Sequence, residues 1–107
     1  MRYLMTLNGG GPPGDENLYA EMVRFITELS QAGVLVATGG LDSNGTHFTA
    51  SGGLATLTDG PYAETKETIV SFAVLEVASR EQAEELLVRF CAIIGDGSGD
   101  MRQVYGP

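Results

Sequence analysis

This chain of 107 residues has one histidine, one cysteine, and only 6 lysines and arginines against 14 aspartates and glutamates. Each scarcity removes a class of function. A lone cysteine, Cys91, forms no intrachain disulfide, so a disulfide scaffold is excluded and a reducing compartment is expected. A lone histidine, His47, with no cysteine or carboxylate cluster at ligand spacing, gives no metal site. The net charge of −8 repels phosphate, which argues against direct nucleic-acid binding and against docking on an anionic membrane. Long apolar runs are missing too. Met1 to Leu7 breaks at Asn8-Gly9-Gly10-Gly11-Pro12-Pro13, which is shorter than a signal-peptide core and far short of a membrane span. A cytoplasmic location is the expectation.

What remains suits one domain over residues 1–107. Hydrophobic residues make up 43% of the chain, enough for a single core without staples. No repeat, low-complexity tract or linker interrupts it. Residues Arg2 to Leu7 alternate, with Tyr3, Met5 and Leu7 on one face, and read as a strand. From Asp15 or Glu16 to Ala32 the spacing of Leu18, Met22, Phe25, Ile26 and Leu29 predicts a helix, ended by Gly33. Val34 to Thr38 is a β-branched strand stopped at Gly39-Gly40. Asn44-Gly45 signals a turn, Thr46–Ala50 and Leu54–Thr58 read as a hairpin, and Asp59-Gly60-Pro61 turns the chain again. Thr68 to Val77 reads as the longest and most apolar strand. Ser79-Arg80-Glu81-Gln82 fits a capping box, opening a second helix that runs to about Ile94 and buries Ala83, Leu86, Leu87, Phe90 and Ile94. Glu85 and Arg89 stand in i,i+4 order on its surface. Met101 to Tyr105 closes the chain as a strand.

The order β-α-β-(hairpin)-β-α-β predicts a ferredoxin-like α+β fold, an antiparallel sheet with two helices on one face. Along the strand from Thr68 to Val77, Ile69, Ser71, Ala73, Leu75 and Val77 point one way and Val70, Phe72 and Val74 the other. A strand apolar on both faces is buried on both. Two helices cover only one face, and leaving the other wet forgoes about 1.5–3 kcal/mol for each large side chain. Leu4 and Leu35 are expected to extend that second face, and a second subunit is its simplest cover, so a homodimer is expected.

The densest cluster of polar residues is Asp59-Gly60-Pro61-Tyr62-Ala63-Glu64-Thr65-Lys66-Glu67. In a cleft, Asp59 would serve as acid, base or ligand acceptor, Tyr62 would lend its hydroxyl, and Glu64 and Lys66 would bind a polar group, with Arg102 as counter-charge for an anion. The same residues also make a turn fixed by Pro61, an aromatic plug and a solvated loop of weak ion pairs. His47 reads as a surface residue and Cys91 as a small buried hydrophobe. Gly9 to Gly14 joins strand to helix where a phosphate loop would lie, but it has neither GxGxxG spacing nor a Gly-Lys-Ser/Thr ending. No cofactor is expected.

The nine residues from Asp59 to Glu67 resemble the signature of the DGPF family, a branch of the YCII-related proteins, in which DGPF is followed by AETKE. Ala32-Gly33-Val34-Leu35-Val36, Gly39-Gly40-Leu41, Cys91 and Asp100-Met101-Arg102 extend the resemblance over nearly the whole chain. It implies a dimeric ferredoxin-like fold, of the dimeric α+β barrel type. Most relatives are uncharacterised, and some are associated with sigma-type transcription factors. A histidine and an aspartate have been proposed as a catalytic pair in the wider group, but this chain has no histidine near its first strand or helix. It also has Tyr62 for the usual Phe, Ile69-Val70-Ser71 for Leu-Gly-Gly, and Gln103 for a common proline. Two functions follow as expectations. One is a small-molecule-binding or enzymatic domain for a small polar molecule, with a cleft at the Asp59–Glu67 loop. The other is a regulatory module acting on a transcription-related partner.

Overall fold

The computed structural model describes residues 1–9, 16–61 and 68–106. In chain order these form β1 (Arg2–Asn8), α1 (Glu16–Gln31), β2 (Leu35–Gly40), β3 (Asn44–Ser51), β4 (Leu54–Pro61), β5 (Ile69–Glu76), α2 (Arg80–Ile94) and β6 (Gly99–Val104). Four strands make one antiparallel sheet in the order β2-β5-β1-β6, and β3 and β4 make a separate two-stranded sheet. The fold is the expected α+β arrangement, with the hairpin inserted between β2 and β5.

The helix ends follow from local chemistry. At the end of α1 the Val34 N–H donates to Leu29 O (2.9 Å) and the Gly33 N–H to Ser30 O (3.2 Å). This Schellman pairing turns the chain through Gly33, whose φ of +73° suits glycine. At the start of α2, the Ser79 hydroxyl accepts from the Gln82 N–H (3.1 Å). The Gln82 side chain reaches one residue further back than in the standard box and accepts from the Ala78 N–H (2.8 Å).

In register, Tyr3 lies opposite Leu75 and Met5 opposite Ala73, so these side chains share the face toward the helices. The buried core joins Tyr3, Met5, Leu75 and Val77 of the sheet side to Phe25 and Leu29 of α1 and Ala83 and Leu86 of α2. The opposite face carries Leu4, Val70, Phe72, Val74 and Val104, with no second layer upon it among the described residues.

Several local expectations are corrected. Leu35 belongs to the helix side, opposite Leu75, because the register shifts between Leu35 and Ala37. One extra residue in a strand flips the side chains that follow it. Gly39-Gly40 continue β2 instead of stopping it. Asn44-Gly45 and Asp59-Gly60-Pro61 are not turns but the paired base of the hairpin, Asn44 opposite Pro61 and Gly45 opposite Gly60. β3 and β4 therefore equal β5 at 8 residues each. Arg89 bonds Glu28 of α1, not Glu85, and its guanidinium lies 4.9 Å from the centroid of the Phe25 ring. The i,i+4 pair on α2 is Arg80–Glu84 (2.8 Å).

Candidate functional site

The helix layer does not meet the sheet evenly. Toward one end, Leu75, Val77 and Ala83 are sealed. Toward the other, where β1 ends and β6 begins, the sheet side offers Gly40, Ser71, Gly97 and Gly99 beneath the two helices. Small residues leave space that larger ones would fill, and the result is a cavity of about 670 Å³, within the size range of ligand sites. Its walls are Leu18, Met22 and Ile26 of α1 and Leu87, Phe90 and Ile94 of α2. Its floor is Met5, Leu7, Leu35 and Ala73, and Phe25, Leu29, Leu75 and Leu86 close it toward the core.

Polar groups in the lining are few. They are Thr38, Ser71 and Ser98, together with Cys91, while Thr6 and Asp100 border the space through β1 and β6 with their side chains on the far face of the sheet. The Thr38 hydroxyl is already committed, donating to Phe72 O at 2.9 Å. Cys91 is exposed rather than buried, because its place on α2 looks into this space. Among the described residues, only Cys91 brings an ionisable side chain to the lining, because Asp100, opposite Thr6, shares with Arg102 the sheet face away from the helices, and no group of His, Cys, Asp and Glu stands where it would hold a metal. The cavity is thus an apolar container with a few hydroxyls. It is suited to holding a ligand by burial and orienting it by one or two hydrogen bonds.

The residues singled out in the sequence are not brought together there. Asp59 lies on β4, exposed, where its carboxylate accepts from the Thr46 hydroxyl across the hairpin. Arg102 lies on β6 opposite Leu4, exposed, on the sheet face away from the helices. Neither lines the cavity. Tyr62, Glu64 and Lys66 lie outside the described residues. His47 is exposed on β3, opposite Thr58. What the sequence reading passed over was the set of small residues at Gly39-Gly40, Ser71, Ala73 and Gly97-Ser98-Gly99. Its signal was a loss of bulk at one end of β2 and β5 and on the approach to β6.

The family model of the YCII-related domain matches residues 1–105. Comparison with curated proteins finds no match. Among solved structures, the chain is similar to 5-chloro-2-hydroxyhydroquinone dehydrochlorinase (TftG) from Burkholderia phenoliruptrix AC1100, in complex with 2,5-dihydroxybenzoquinone. The TM-score is 0.53 at 13% identity, with 100% of this chain and 96% of that one covered. At that identity the likeness is one of fold. No helix among the described residues is long and apolar enough to cross a membrane.

Proposed function

We propose that this chain, which belongs to the YCII-related family, is a small-molecule-binding domain whose ligand sits in the cavity between the two helices and the sheet. The observation that carries the reading is the cavity itself, about 670 Å³ bounded by apolar side chains from both helices and the sheet. The lining moves the expected ligand from a charged, polar molecule to a mainly apolar one bearing one or two hydrogen-bonding groups. A buried charge without a partner would be costly there. A neutral aromatic ring with hydroxyl or carbonyl substituents fits that description. The structural relative, at 13% identity, is in complex with 2,5-dihydroxybenzoquinone, which supports this reading. With Cys91 the only ionisable side chain turned to the cavity among the described residues, the geometry supports binding more directly than acid–base catalysis. A cavity of this size also favours a ligand over a regulatory partner. The functional unit of this reading is a homodimer, in which the apolar sheet face of Leu4, Val70, Phe72 and Val74 is covered by a second copy.

Thermal-shift measurements with a panel of neutral substituted phenols and quinones test the site. A ligand at 100 times its Kd stabilises the folded state by about 2.7 kcal/mol, a shift of several degrees. We expect that shift in the wild type and in Asp59→Ala, and its loss in Ser71→Leu, which fills the floor. A panel that leaves the wild type unmoved, or shifts Ser71→Leu equally, would exclude the cavity as the site.

A further inference from the structure

Among the described residues, the β3–β4 hairpin stands apart from the four-stranded sheet and its strands pair only with each other. Every residue from Thr46 to Pro61 is exposed, including Phe48 at 70% and Leu57 at 67%. The exposure is patterned. In register, Phe48 faces Leu57 and Ala50 faces Ala55, so one side of the ribbon is apolar from its middle to its tip, with the Thr46–Asp59 pair at its base. The other side carries the His47–Thr58 and Thr49–Thr56 pairs and, at the tip, Ser51 opposite Leu54. A two-stranded ribbon alone is at best marginally stable in water, and an amphipathic one needs something against its apolar side.

Resting on the homodimer reading above, we propose that this hairpin is an arm that lays Phe48, Ala50, Ala55 and Leu57 against a second copy of this chain. Two observations select that occupant. The first is area. Strands about 4.8 Å apart rising about 3.3 Å per residue give the four-stranded sheet a face of about 450 Å² and the hairpin one of about 260 Å². Two sheet faces alone would bury about 900 Å², under the roughly 1,200 Å² at which stable interfaces begin, whereas two arms, each with the partner surface it covers, raise the total to about 1,900 Å². The dimer needs its arms.

The second observation is charge. The chain carries a net −8, yet Asn44 to Pro61 holds one of its 14 acidic residues and no lysine or arginine. That residue, Asp59, sits at the base of the arm with its carboxylate bonded to Thr46. Two strongly acidic copies repel one another, so they associate where each is close to neutral. The hairpin is such a surface.

Sedimentation equilibrium of the full chain tests the proposal with two double variants. Phe48→Ser with Leu57→Ser alters the apolar side, and Thr49→Ala with Thr56→Ala alters the opposite side of the same ribbon. We expect a wild-type dimer at micromolar concentration, at least a 100-fold higher dissociation constant for the first variant, and little change for the second. A wild-type dimer that the first variant leaves intact overturns the arm while the dimer reading stands. Equal weakening by both variants overturns the assignment to the apolar side. A wild type that stays monomeric at 100 times that concentration overturns the arm and the dimer reading together.

Discussion

The two ends of the layer between helices and sheet use the same kinds of helix residue but different sheet residues. At the packed end, Leu29 and Leu86 meet Tyr3, Leu75 and Val77, and the core is sealed, with Leu75 only 1% exposed. At the hollow end, Met22, Phe90 and Ile94 stand above Ser71, Gly40 and Gly99. Helix amphipathicity is continuous from one end to the other, so it does not decide where the space lies. Sheet bulk does. Stability is concentrated at one end and room for a ligand at the other, which lets a binding site exist without thinning the core that supports it.

The same truncation made at both ends is the sharpest test. Leu75→Ala removes a side chain that is 1% exposed, belongs to the core and closes the cavity toward it, and both the transfer and cavity terms apply, so a loss of about 2–5 kcal/mol is expected. Ile94→Ala removes atoms that already border the cavity, where fewer contacts are lost, and about 1 kcal/mol is expected. Urea denaturation of both variants, with m-values compared, measures the difference. Equal losses would mean that the hollow end is as tightly packed as the other.

Next in size is Gly99→Ala. Glycine is required at this position by a close approach of backbone to backbone. A Cβ there would stand 1.9 Å from Thr6 O, far inside contact distance. The β1–β6 pairing must therefore open at the edge of the cavity. A loss of about 1–3 kcal/mol is expected, along with faster amide exchange at residues 99–101 and not at the packed end. Uniform exchange across the sheet would remove the claim that the two ends are mechanically distinct.

The features that were legible in the sequence are those governed by near neighbours. Gly33 could end α1 because a Schellman turn needs only five adjacent residues, and Ser79 could open α2 for the same reason. Alternation along Ser71 to Val77 gave the two faces of β5, while a register shift at Leu7/Asn8 breaks it at Ile69 and Val70. The errors arose where distant segments decide. Asn44-Gly45 and Asp59-Gly60-Pro61 have turn chemistry locally, but pairing with each other holds them extended. A single register shift after Leu35 reversed its face. The cavity was least legible, because it is made by small residues from β2, β5 and the approach to β6, none of which signals a site alone. The acidic motif drew attention to Asp59, yet the space lies elsewhere.

The smallest effect concerns what spans the layer from above. Glu28 of α1 and Arg89 of α2 are ion-paired across the helices, and Arg89 also stacks on Phe25, the buried aromatic at the boundary of core and cavity. Both charged side chains are about half exposed, 55% and 51%, so solvent screens the pair and its worth is about 0.2–1 kcal/mol. Arg89→Met keeps an apolar stem over the Phe25 ring and deletes the charge, whereas Arg89→Ala deletes both. If the helices are held by packing at the sealed end, Met should cost almost nothing and Ala about 1 kcal/mol, mostly through lost cover of Phe25. The stability difference between wild type and the Met variant should also change little between roughly 0.05 and 0.5 M salt, a range over which the Debye length falls from about 13 to 4 Å. A large, salt-dependent loss in Arg89→Met would instead make the ion pair, not the packed end, the element that keeps the two helices over the cavity.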